Sequence, residues 1–190
     1  MAYPYGFGKG GLFLFLMPHN LRRITGRGDL HFITFSCYQH ENFLASAGNR
    51  NIAVQILGEV RARFKFALVG YVLMPDHVHL LISEPVGASP AKVIQVFKQR
   101  VSRKLRGKRR VAKSQLRLPF PEDASGPRRF WQRRYYDFNI YSRGKLREKL
   151  DYMHANPVEE KLVSHPNQWP WSSWSAYVGK AGLLEIDFVG

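Results

Sequence analysis

The sequence predicts an α+β fold, a ferredoxin-like antiparallel sheet with helices on one face. Three observations carry it. Alternating or continuously apolar segments rich in β-formers recur between segments with helical spacing. Their order, β-α-β-β-α-(loop)-β-α, is that of a split βαβ arrangement. A chain of 190 residues with 45% hydrophobic residues is long enough for one domain with its own core.

Leu30 to Tyr38 alternates and reads as the first strand. From about Asn49 to Phe64, Ile52, Ile56, Val60 and Phe64 recur every fourth residue, a helix with one apolar stripe. Phe66 to Met74 is nearly all apolar and reads as a strand buried on both faces. Met74-Pro75-Asp76 forms a turn, and Asp76 is either a turn former, the favoured reading, or a group that orients the histidines from behind. His77 to Ser83 is the next strand. Ser89-Pro90 is an N-cap followed by proline at the first helical position, and the stripe Val93, Phe97, Val101, Leu105 ends before Gly107. Residues 107–129 lose periodicity and read as a basic loop. Phe130 to Tyr141 contains a strand, and Ser142 caps a helix running to about Ala155, before Pro157. Residues 1–20 read as a poorly ordered leader, 21–180 as the domain and 181–190 as a tail. Trp169, Trp171 and Trp174 are expected to cover the core.

The net charge is +15 and the isoelectric point about 10.2. Lys98 to Arg134 holds fourteen basic residues against Glu122 and Asp123 alone, so most of the excess sits in one window. Such a block marks a polyanion partner, and nucleic acid fits it better than a membrane surface. No apolar run approaches the roughly 18 residues of a membrane-spanning helix. The single cysteine, Cys37, excludes an internal disulfide and a multi-cysteine zinc site, suits a reducing cytoplasm, and reads as a core residue; the expected location is cytoplasmic and nucleoid-associated.

Two short patterns carry chemistry. In His77-Val78-His79 the strand period of two puts both imidazoles on one face, where they can converge on one divalent ion; two unconnected surface histidines would look the same in sequence. In the last helix, Tyr152 and Asn156 are i, i+4 neighbours flanked by Lys145 and Lys149, off the core stripe of Leu146, Leu150 and Met153. A half-buried tyrosine and an asparagine favoured before Pro157 would give the same pattern. Tyr135, Tyr136 and Tyr141 read as sheet residues or a base-stacking surface. His154, on another helix face, reads as structural.

Taken together, Met74-Pro75-Asp76-His77-Val78-His79-Leu80-Leu81, Asp151-Tyr152-Met153-His154-Ala155-Asn156-Pro157-Val158 and Trp169-Pro170-Trp171-Ser172-Ser173 resemble the Y1 transposases of the insertion-sequence 200/605 superfamily, over roughly residues 22–178. The likeness is greatest to the subgroup associated with repetitive extragenic palindromes (REPs). The resemblance implies a fold of the HUH endonuclease type, with His77, His79 and Asn156 as ligands of Mg²⁺ or Mn²⁺ and Tyr152 as the nucleophile. Some relatives carry glutamine where this chain has Asn156. The implied reaction is cleavage and rejoining of single-stranded DNA beside a hairpin, through a 5′-phosphotyrosine. Lys145, Lys149, Arg100, Arg103, Lys104, Arg133 and Arg134 are the candidate DNA contacts. No small-molecule cofactor and no membrane partner are expected, and the chain is compatible with a monomer or a homodimer. On the residues alone, a non-catalytic nucleic-acid-binding regulator and a zinc-dependent hydrolase using the same histidines also remain open.

Overall fold

Alternation along two central strands decides the architecture. A computed structural model describes residues 24–114 and 129–189. In it β1 (Leu30–Ser36) pairs antiparallel with β3 (His77–Ser83), setting Phe35 opposite Val78 and Thr34 opposite His79. β2 (Leu68–Leu73) joins the other side of β3, and β4 (Tyr136–Ile140) the other side of β1. The order is therefore β2-β3-β1-β4. α1 (Ala47–Phe64) links β1 to β2, and α2 (Pro90–Ser114) links β3 to β4. This is the expected split βαβ arrangement, followed by α3 (Arg143–Glu159).

The helix starts are chemical. Ser46, Ser89 and Ser142 each accept, through Oγ, the backbone N–H three residues on. One helix end departs from expectation. α2 does not stop before Gly107 but runs to Ser114, so the first part of the expected basic loop is helical. An interior glycine costs a helix only about 1 kcal/mol, and the Lys, Arg and Ala around it are good helix formers. The rest of that loop and the expected leader lie outside the described residues.

Helices cover both faces of the sheet, not one. Ile33, Phe35, Val78, Leu80 and Ile82 pack beneath α1 and α2, with Val54, Leu57, Val93 and Phe97 above them. The opposite pleat presents Phe32, Val69, Val72 and Leu81, and α3 covers these with Met153, Leu146 and Leu150, aided by Trp169. The sheet is apolar on both sides, so both need a lid. Cys37 and Trp174 are buried as expected, while Trp171 is partly exposed.

The outer edge of β2 is closed by the C-terminal part of the chain. Leu73 N–H donates to Trp171 O, Ser173 N–H to Tyr71 O, and Asp187 N–H to Leu68 O. The Asp187 carboxylate also accepts from Leu68 N–H and from Arg61, and Leu184 and Ile186 pack on the core. The expected tail is thus part of the body, at least through these residues.

α3 comes close to the sheet over Gly70, which lies beside an irregularity in the β2–β3 pairing. A side chain there would meet Leu150 Cδ2 at 3.0 Å and Met153 Sδ at 3.2 Å from its Cβ. Gly70→Val is therefore expected to lower stability by about 1–3 kcal/mol through overpacking. Urea denaturation should show a lower midpoint with an unchanged slope.

Candidate active site

His77 and His79 project from the α3 side of β3, and their rings meet edge to face at 4.7 Å between centroids. Each ring is held from behind. His77 Nδ1–H donates to Asp76 Oδ1 at 2.6 Å, and His79 Nδ1 lies 2.8 Å from Thr34 Oγ1, the residue opposite it in the β1–β3 register. With both Nδ1 atoms engaged, the Nε2 atoms converge to 3.0 Å. Asp76 also accepts from His40 Nδ1 at 2.7 Å. Of the two readings of Asp76, the less favoured one is what the structure shows: both of its carboxylate oxygens orient imidazoles. Burial opposes its charge, but the hydrogen bonds and charge of His77 and His40 outweigh this and hold the carboxyl below its ordinary range. Burial, and then the neighbouring His77, push His79 well below the usual histidine pKa, so it is neutral.

α3 brings Tyr152 to this pair. Its ring lies edge-on to His79 at 5.5 Å and to Phe32 at 6.1 Å. Burial first, and then the charge of Glu159, raise the Tyr152 pKa, while the Asn156 side chain opposes the rise. Asn156 is only 6% exposed, and its Oδ1 makes no hydrogen bond of good geometry among the described residues. Its amide still lies near enough to His79 to favour the charged ring.

Two expectations about this helix are corrected. α3 does not end at Ala155 but continues through Pro157 to Glu159. Pro157 removes one donor, yet Glu160 N–H still closes the next turn on Asn156 O at 2.9 Å. Nor do Tyr152 and Asn156 lie off the buried stripe: they face the sheet, alongside buried Lys149. The polar residues on that stripe hid its width from a reading based on apolar spacing. The same spacing, carried one turn further, reaches Glu160, whose Oε1 is 3.9 Å from His77 Nε2. Pro157 masked that continuation in the sequence.

Comparison with known proteins adds the context. The model of a family described as "Transposase IS200 like" matches residues 26–156. The chain belongs to that family. A Haemophilus influenzae relative assigned as a REP-associated tyrosine transposase is 27% identical over 179 residues, covering 90% of this chain and 93% of that protein. The REP-associated tyrosine transposase of Escherichia coli is 25% identical over 169 residues, covering 89% and 90%. The solved structure of a REP-associated tyrosine transposase bound to a REP hairpin matches with a TM-score of 0.65 at 21% identity, covering 90% of this chain and 91% of that one. This last likeness establishes the fold.

The transposase distributes its basic candidates unevenly around the site. Lys145 and Lys149 are on α3, beside Tyr152. Lys149 is buried with Nζ over the rings of Phe138 and Phe32 and is paired with Glu148, so it is no surface cation. Lys145 also pairs with Glu148, at 2.6 Å. Arg100, Arg103 and Lys104 lie on α2, across the sheet from the histidines, and Arg100 is paired with Glu59 of α1. Arg133 and Arg134 are exposed in the segment leading into β4 and line an open hollow with Gln132 and Tyr135. No described helix is long and apolar enough to cross a membrane.

His154 is structural, as expected. It is buried, contacts Ser173 Oγ through Nε2 at 2.8 Å, and burial pushes its pKa down to about 3. Between the unfolded value of 6.5 and about 3, the unfolded chain binds a proton at this position that the folded chain refuses. Stability attributable to this group is therefore full above pH 6.5 and declines as the pH falls through that window. His154→Gln should flatten the acid limb of the stability profile, measured by urea unfolding at pH 7 and at intervals down to pH 4.

Proposed function

We propose that this transposase cleaves and rejoins single-stranded DNA beside a hairpin-forming palindrome, with Tyr152 as nucleophile and a divalent ion held by His77, His79 and Asn156. The observation that carries the proposal is the meeting of the Tyr152 ring with a histidine pair whose Nε2 atoms lie 3.0 Å apart. The donor set suits a cation. Both Nδ1 atoms are already engaged, the two Nε2 atoms face one another closely enough for one divalent ion to take both, and among the described residues buried Asn156 Oδ1 makes no hydrogen bond of good geometry. With phosphate oxygens of the DNA completing the shell, the donors would suit Mg²⁺ or Mn²⁺, although two imidazoles also tolerate Zn²⁺.

When bound, the ion would neutralise a non-bridging phosphate oxygen and polarise the phosphorus. The remaining work falls to the chain. Tyr152 Oη keeps its proton in the free protein, because burial and Glu159 disfavour the phenolate, whereas Asn156 favours it. As Oη attacks, a bond to the 5′-phosphate forms, the bond from phosphorus to the 3′-oxygen breaks, and the proton lost by Oη is balanced by the one the departing 3′-oxygen takes up to become a hydroxyl. The phosphotyrosine keeps the energy of the broken ester, so a 3′-hydroxyl can reverse the step and join strands without ATP. A helix anchored on the sheet can fix the in-line approach this requires. The relative solved with a REP hairpin supports a hairpin substrate, and the net charge of +15 supports a polyanion.

Incubation with Mn²⁺ and an end-labelled hairpin oligonucleotide bearing a single-stranded flank should give a covalent protein–DNA adduct on a denaturing gel. Tyr152→Phe, or excess EDTA, should abolish it without preventing DNA binding. Equal, uncut binding by both proteins would instead favour a non-catalytic regulator. Replacing Arg133 and Arg134 together by alanine should weaken hairpin binding and reduce the slope of log K against log[salt] by about 2, one for each lost phosphate contact.

A further inference from the structure

We propose that Glu160 is an additional, anionic ligand of the ion held by His77 and His79, and that it biases the site towards hard, octahedral cations. This rests on the metal reading above and deepens it. The placement comes from α3. Tyr152, Asn156 and Glu160 follow one another at four-residue intervals, and the turn that joins the last two is intact, with Glu160 N–H on Asn156 O. One ridge therefore presents a phenol, an amide and a carboxylate towards the same strand.

Distance and charge agree with the assignment. Glu160 Oε1 is 3.9 Å from His77 Nε2. Donors on one octahedral ion are separated by about 3.0 Å when adjacent and about 4.2 Å when opposite, so this carboxylate needs little movement to share the ion. His77, His79 and Asn156 are a neutral set as ligands, and His79 and Asn156 are buried. A dication placed there would have no charged ligand to offset it, only the Asp76 carboxylate one imidazole away behind His77, and a poorly compensated buried charge is costly. Glu160 is 43% exposed on its side chain, at the mouth of the site, and among the described residues its one ion-pair contact is with His77. Among the described residues the buried Asn156 Oδ1 makes no hydrogen bond of good geometry, which leaves it able to serve as a ligand at the same place.

Asp76 lies within 4.8 Å of both His77 and Glu160 when single ligand atoms are compared. It is a different case. Its two oxygens are committed to the Nδ1 atoms of His77 and His40, which makes it a positioning residue behind the ligand and leaves Glu160 as the carboxylate facing the ion.

The test is Mn²⁺ binding to the full chain without DNA, read by the electron paramagnetic resonance signal of free Mn²⁺, with folding checked by circular dichroism. Glu160→Gln should weaken Mn²⁺ affinity by about tenfold or more and lower the Mn²⁺ to Zn²⁺ affinity ratio, whereas Glu159→Gln, its exposed neighbour, should change neither. Glu160→Asp should retain part of the affinity, which separates a ligand from a residue needed only for packing. Wild-type Mn²⁺ affinity in Glu160→Gln, with loss of binding in His79→Ala, would overturn the role of Glu160 and leave the histidine site standing. Unchanged Mn²⁺ binding in His79→Ala as well would overturn the metal reading itself.

Discussion

The register between β1 and β3 governs both the core and the site. It places Thr34 against His79 and Phe32 against Leu81, and so decides which imidazole nitrogen is engaged and which is turned outward. The same register puts Val78, Leu80 and Ile82 under α1 and α2. A slip of one residue would exchange the faces, burying the histidines among the apolar residues of those helices and turning Val78, Leu80 and Ile82 towards α3. Stability and chemistry are thus fixed by one set of backbone hydrogen bonds, and neither can be moved without the other.

The second face is where the fold carries unusual cost. α3 lays Lys149, Tyr152, His154 and Asn156 into largely buried positions, and each polar group there requires a partner. Lys149 finds the rings of Phe32 and Phe138 and the carboxylate of Glu148. His154 finds Ser173, whose Oγ also contacts the backbone of Tyr71 in β2. The helix is in this way fastened to the sheet on both flanks of Tyr152. Asn156 Oδ1 is the exception, and it is next to the histidine pair.

What the sequence made legible was local or strictly periodic. The period of two identified the shared face of His77 and His79, the serines before α2 and α3 marked their starts, and the four-residue spacing joined Tyr152 to Asn156. What it hid was decided by tertiary contact. Pro157 argues for a helix end by its own geometry, yet packing carries α3 past it, and Glu160 was lost with that turn. Gly107 argues for a stop and is overridden by its neighbours. Apolar spacing gave α3 a narrow stripe, because the residues that widen it are polar. The helices were assigned to one face because the order of elements does not say where an extra helix docks. Arg100 looked available in the sequence, but its partner Glu59 is on another helix. The role of Asp76 depends on His40, which is distant in sequence and read as nothing in particular.

The strip that closes β2 has a bearing on what counts as the unit of this fold. The stretch that matches the family ends at Asn156, yet Trp171 to Ser173 and Asp187 supply hydrogen bonds along the rim of the sheet, and Trp169 fills the core beneath α3. A fragment cut at the end of the matched stretch would retain all four strands, both histidines and the tyrosine. It would also carry a bare row of amides and carbonyls on a strand that has no charged side chain, the kind of edge that recruits other chains. The smallest piece able to stay alone in solution is therefore larger than the smallest piece that contains the chemistry.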